Sequence, residues 1–194
     1  YNVVDLVMSM TVTYNSPSSS EYKVDNKVNE IVNKLNLHSD KISLYKKLVL
    51  IYDYLCKNTV YDNVHTDGTY YTKYSTYGCL IDGMCVCQGF ASALYRLALE
   101  AGIDNRVITG LGNGGAQGWN IVKMGDYYYN VDVTWDEMSN DSSKWKWFLL
   151  SEANFTRHQR TYMNGLSIED YASAEFYAKY PMGPTNYYQD KTFT

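Results

Sequence analysis

The helix that starts at Cys87 constrains this chain more than any other stretch. Phe90, Leu94, Leu97, Ala98 and Ala101 recur at helical spacing, and Gly102 suits the left-handed residue that ends a helix. The spacing places Cys87 at or just before the first turn. A thiol there faces unpaired backbone N–H groups and the positive end of the helix dipole, which favour thiolate. A nucleophile belongs at such a place, although a small buried cysteine at a helix start is also a common packing choice.

A second constraint lies downstream. Residues 119–124 and 127–135 read as two strands around a Gly125-Asp126 turn. With a two- or four-residue loop, paired positions sum to 251, so Trp119 faces Asp132 and position 117 faces Thr134. Alternation then puts Gln117, Trp119, Asp132 and Thr134 on one face. Gln117 and Asp132 become diagonal neighbours, roughly 7–8 Å apart at the backbone and within side-chain reach.

The remainder is read around these two elements. Residues 1–14 read as a leading strand or linker end, closed by Ser16-Pro17-Ser18. Val24, Val28, Ile31, Val32 and Leu35 predict one amphipathic helix. A second follows from about Asp40, with Ser39-Asp40 as its cap. A Tyr-, Thr- and Asp-rich loop leads to the cysteine helix, residues 106–110 form a short strand, and the four glycines of 111–118 read as a flexible loop. Ser151 is read as capping a short helix through Arg160, with another helix over 168–180. The boundaries are a leading segment over 1–20, one domain over 21–165, and an extension over 166–194 packed on it.

Composition excludes several classes. A net charge of −4 with no basic cluster argues against nucleic acid as a partner. No apolar run approaches the roughly 18 residues of a membrane span. Twenty-one tyrosines, with many Asn and Ser, suit an extracellular or cell-wall-associated protein. The start at Tyr1 rather than Met reads as a chain from which an N-terminal part, such as a signal peptide, has been left off. Of the four cysteines, Cys79 and Cys85 are spaced to bridge a small loop, and Cys56 falls on an apolar helical face. Asp136, Glu137, Asn140 and Asp141 read as a solvated acidic turn without calcium-loop spacing. No metal or organic cofactor is indicated.

Three ordered blocks carry a resemblance. Val86-Cys87-Gln88-Gly89-Phe90-Ala91, Gly118-Trp119-Asn120-Ile121-Val122 and Tyr129-Asn130-Val131-Asp132-Val133-Thr134-Trp135-Asp136 resemble the bacterial transglutaminase-like family over roughly residues 40–160. The resemblance implies an α+β, papain-like fold, with a central helix starting at the cysteine and packed on an antiparallel sheet. It implies thiol acyl transfer or amide hydrolysis on peptide, protein or cell-wall peptide substrates. Cys87 matches the nucleophile and Asp132 the carboxylate that orients the base; Gln88, Trp119 and Trp135 are candidate substrate contacts, with sheet packing the plainer role of the two tryptophans.

The departure is at the base, where Gln117 stands in place of the family histidine. A carboxamide donates and accepts hydrogen bonds but carries no proton at neutral pH. His38, His65 and His158 remain; none occupies the matching position, and His65 is the best placed. Beside an acyl-transfer chemistry that Gln117 impairs, three readings follow: a non-catalytic relative that keeps the cleft to bind peptides or cell-wall material, a working thiol enzyme in which the helix start and His65 or another group activate Cys87, or an engineered inactive form of an active enzyme.

Overall fold

The structure is a computed structural model that describes residues 17–139, 145–161 and 170–187. The leading segment 1–16 and residues Asn140 and Asp141 of the acidic turn lie outside them.

Two helices precede the cysteine region. Helix α1 (Ser18–Lys34) buries Val24, Val28, Ile31 and Val32, the predicted stripe. Helix α2 (Leu44–Asn58) buries Leu48, Ile51, Tyr52 and Leu55. It begins later than the sequence suggested: Ser43 is the cap, its Oγ accepting from Lys46 N at 3.2 Å, while Ser39 closes a preceding turn by accepting from Lys41 N. Strand β1 (Val60–Tyr61) pairs in parallel with β2 (Met84–Cys85), which fixes the chain two residues before Cys87.

Helix α3 (Cys87–Glu100) fills the centre. Phe90, Ala93, Leu94, Leu97 and Ala98 are buried in one cluster with the stripes of α1 and α2 and with Val122, Met124, Tyr129 and Val131 of the sheet. Gly102 takes a φ of 76° just after the helix, as its stop requires.

The sheet has strand order β5-β4-β3-β6, made of β3 (Asn105–Gly112), β4 (Gly115–Met124), β5 (Tyr127–Val131) and β6 (His158–Arg160), all antiparallel. The predicted register holds: Asn120 pairs with Val131 and Met124 with Tyr127, each summing to 251. Asn120 joins the layers by donating from Nδ2 to Ala91 O of α3 at 3.0 Å. The opposite face carries a second cluster, in which Ile108, Trp119, Ile121 and Tyr128 meet Phe155, Phe176 and Tyr180. This α+β arrangement is the predicted fold class.

Three local readings are corrected. Residues 111–118 are a β3–β4 hairpin, not a flexible loop, because Asn113 and Gly114 both adopt positive φ (50° and 83°), the pair a tight two-residue turn demands. His158 sits on a strand, not in a helix; only Glu152–Asn154 form a 3₁₀ turn after Ser151. The last helix is α5 (Ala174–Lys179), capped by Ser173 Oγ; residues 168 and 169 of the longer predicted helix lie outside the described chain.

Gly89 is required by packing. A Cβ there would lie 2.6 Å from Cys85 Cβ and 2.7 Å from Lys73 O. Gly→Ala inside a helix ordinarily stabilises by roughly 1 kcal/mol, so Gly89→Ala is a test with an inverted sign. It is expected to lower stability by about 2 kcal/mol or more in urea unfolding, through overpacking against backbone.

Candidate active site

Cys87 is placed by the junction of three elements. The β1–β2 pair holds Cys85, Val86 N bonds to Lys73 O, and α3 starts at Cys87 itself. Strand β4 approaches closely through Gly118, where an added Cβ would lie 3.7 Å from the Gln88 backbone. The Cys87 thiol is raised above its ordinary value. Burial is the largest cause; backbone N–H groups of Gly118, Gln88 and Cys87 oppose it, and the Asp132 charge adds to it. The helix start therefore supplies donors to the sulfur, as expected, but burial outweighs them and the expected thiolate is not the favoured form.

Asp132 caps helix α4 (Val133–Glu137). Its Oδ1 accepts from Trp135 N at 3.2 Å. The chain leaves the sheet here, so the expected pairing of Gln117 with Thr134 is not made. The diagonal contact is made: Gln117 Nε2 donates to Asp132 Oδ2 at 2.7 Å, with both residues buried. Gly112 makes room for this, since a Cβ there would lie 3.0 Å from the Gln117 side chain and 2.9 Å from the Trp135 ring.

A third side chain joins this pair that sequence reasoning placed elsewhere. His158 Nε2 lies 2.7 Å from the same Asp132 Oδ2, and its side chain has no exposed surface. Strand β6 brings it in by pairing His158 with Gly112. The signal in the sequence was indirect, a concentration of Trp145, Trp147, Phe148 and Phe155 just upstream.

The other candidates are accounted for. His38 is exposed. His65 bonds through Nδ1 to the buried Asp62 carboxylate at 3.1 Å and packs against Tyr70. Burial raises the Asp62 carboxyl, but hydrogen bonds from His65 N, Val64 N and the His65 ring outweigh it and leave it below its ordinary value. Trp119 is 1% exposed and donates from Nε1 to Asn130 Oδ1, and Trp135 packs edge-on against Trp147. Trp119 belongs to the second core, and neither tryptophan lines the Cys87 pocket. Gln88, with Cys87 and Gln117, lines a pocket of about 650 Å³ that also includes Tyr61, Val107 and Tyr171.

Cys79 and Cys85 are free thiols rather than a bridge, with Thr59 Oγ1 3.5 Å from Cys79 Sγ. Burial, then the neighbouring Cys79 thiol, pushes Cys85 up. Asp136 is not a solvated turn residue. It is 3% exposed and accepts from Tyr52 Oη at 2.7 Å and from Lys146 N at 2.7 Å. No group of three or more metal-ligating side chains is assembled among the described residues.

The structure thus sets a cysteine at a central helix start beside a sheet that carries a buried Gln–Asp pair. Residues 12–146 match the family "Transglutaminase-like superfamily". The chain belongs to this superfamily. Among solved structures it is similar to a TGase, with a TM-score of 0.51 and 16% identity over 68% of this chain and 36% of that one. It is also similar to a candidate cysteine protease from Cytophaga hutchinsonii, with a TM-score of 0.46 and 20% identity over 57% of this chain and 37% of that one. The chain thus spans little more than a third of either. No curated protein matches it. No described helix is long and apolar enough to cross a membrane.

Asp136 gives a pH prediction for this member of the superfamily. Burial, the largest cause, pushes its carboxyl up to about 6 despite the bonds from Tyr52, Lys146 and Trp147. An acid whose pKa is raised by folding binds its proton more tightly when folded. Its contribution is full below the unfolded value near 4 and is lost as pH rises through about 6. Asp136→Asn is expected to flatten the fall in stability between pH 4 and 7 by roughly 2 kcal/mol, read as the difference between the two proteins' denaturation curves across that range.

Proposed function

We propose that this chain is a thiol acyl-transfer domain whose cleft takes uncharged segments of peptide-like substrates and whose chemistry is impaired, with Cys87 as nucleophile, Asp132 as orienting carboxylate and Gln117 in the base position. The observation that carries the reading is the 2.7 Å bond from Gln117 Nε2 to Asp132 Oδ2 beside the Cys87 pocket. The superfamily's chemistry, as the resemblance implies it, needs a group there that takes the thiol proton, lets Sγ attack an amide carbon, and returns the proton to the amine as the C–N bond breaks. Water or a second amine would then take the acyl group from sulfur. Gln117 keeps the hydrogen bond to the carboxylate and lacks the proton transfer. The raised Cys87 thiol fits this. The cleft therefore holds its substrate with chemistry that is slow or absent.

The pocket supports the substrate class. Its described lining has no charged side chain: Tyr61, Tyr74 and Tyr171 supply aromatic surface, Val86, Val107 and Ala116 apolar surface, and Gln88, Ser92 and Thr109 polar groups. Burying an unpaired charge against such a wall is costly. Uncharged peptides, including those carrying carboxamides or aromatic side chains, fit it; acidic and basic ones leave a charge without a partner. An extracellular or cell-wall setting, suggested by the tyrosine-rich composition, is part of the same proposal.

Two measurements test this reading. Cys87 alkylation in the chain as it stands is expected to follow an ordinary or alkaline-shifted thiol profile, and Gln117→His to bring the profile to lower pH. Loss of the base from a catalytic unit lowers rate by about six orders of magnitude in a serine-protease series, so Gln117→His is expected to raise amide hydrolysis or amine incorporation by several orders. No gain would remove Gln117 from the base position. For substrate class, uncharged peptides are expected to bind at least about tenfold tighter than acidic analogues by calorimetry, a difference of about 1.4 kcal/mol.

A further inference from the structure

His158 lies outside the three sequence blocks, yet its surroundings are more fully determined than those of any other histidine in the chain. Its ring stacks on Phe155 (3.8 Å between centroids, 19°) and is boxed by Trp135 at 4.1 Å, Trp119 at 5.1 Å and Trp147 at 5.2 Å. The only hydrogen-bond partner of the ring nitrogens among the described residues is Asp132 Oδ2, taken by Nε2, and Nδ1 is buried without one. A buried N–H with no acceptor is costly, whereas an unfilled lone pair facing aromatic rings costs less. The proton therefore belongs on Nε2, donated to the carboxylate, and Nδ1 stays bare.

We infer that His158 is a positioning residue for Asp132, fixed in the Nε2–H form by its aromatic box and holding Oδ2 so that the side chain at position 117 meets the carboxylate in one orientation. Asp132 then receives three donors: Trp135 N on Oδ1, and Gln117 Nε2 and His158 Nε2 on Oδ2. Trp135 N and Gln117 Nε2 place one donor on each oxygen; His158 Nε2 adds a second donor to Oδ2 from β6, so the orientation of that oxygen does not depend on the side chain at position 117 alone. His158 is not a substitute base. It is absent from the pocket that Cys87 and Gln117 share, and its Nε2 is occupied by Asp132. The charged and titratable groups that face Asp132 are Asp136 from α4, Tyr52 and Cys56 from α2, His158 from β6, and Cys87 from α3.

The inference rests on the proposed roles of Asp132 and position 117, so its test has one arm that does not use Cys87 chemistry. In the chain as it stands, the ¹H–¹⁵N spectrum of the histidine rings is expected to show a slowly exchanging His158 Nε2–H and no slowly exchanging Nδ1–H. A proton held on Nδ1 alone overturns the inference, whatever the reactivity of Cys87.

The second arm uses Gln117→His with His158→Phe, which keeps an aromatic ring in the box and removes the donor, and His158→Gln, whose Nε2 restores a donor. The Phe variant is expected to move the midpoint of Cys87 alkylation upward by about one pH unit, a roughly tenfold loss at neutral pH, within the range that loss of an outer hydrogen-bonding partner produces. The Gln variant is expected to recover most of it. Identical profiles with and without the donor overturn the inference, since a purely packing role predicts them. If Gln117→His gains nothing, the function proposed above fails and the tautomer measurement still decides for or against His158. If the Phe variant fails to fold, the tautomer and the Gln variant decide it.

Discussion

The buried carboxylate of Asp132 is the constraint on which this site depends. At 1% exposure it has lost its water, and a carboxylate in that position survives only if hydrogen bonds replace the water. The chain recruits those bonds from three directions: the first turn of α4, the neighbouring strand β4, and strand β6 some 26 residues further on. Each recruitment fixes something larger. The α4 cap ends β5, the Gln117 bond holds the register of β4 against it, and the His158 bond gives the short three-residue β6 a reason to dock at the edge of β3. The site's shape is thus maintained by satisfying one charge, independently of whether Cys87 reacts.

This separates geometry from chemistry in a physically specific way. A histidine and a glutamine at position 117 can both donate an N–H to Oδ2, so the folded state treats them alike. Only the thiol distinguishes them, because only imidazole can become positively charged beside the sulfur. With a neutral amide there, burial and the negative Asp132 both push the Cys87 proton on, and three backbone N–H groups do not overcome them. The carboxylate that would assist an imidazole works against the thiolate in the absence of one.

The sequence was most legible where a single period or a single turn decides structure. The α3 stripe and Gly102 placed Cys87, and the two-residue Gly125-Asp126 turn fixed the parity that joins Gln117 to Asp132. It was less legible where two signals compete. The glycines of 111–118 suggested flexibility, but Asn113-Gly114 is a turn pair, and Gly112 is a glycine because it lies under Gln117 and Trp135. Asp136 looked like surface charge from its acidic neighbours, since nothing local reveals that Tyr52, 84 residues earlier, covers it.

His158 was illegible for a related reason. Its segment has neither strand alternation nor helical period long enough to decide between them, and β6 exists because of what β3 and Asp132 offer it rather than through its own propensity. Four aromatic rings from β4, α4 and the segment leading to β6 converge on one imidazole, and such convergence is a property of the folded chain alone. An isolated histidine in a sequence is most economically read as solvated. A histidine with no exposed surface, one charged partner and one bare nitrogen is read differently, because each of those facts has an energetic cost that packing by itself does not require. A phenylalanine would fill the same box with no buried polar atom, so the presence of imidazole there points to the one thing it adds, a donor for Asp132.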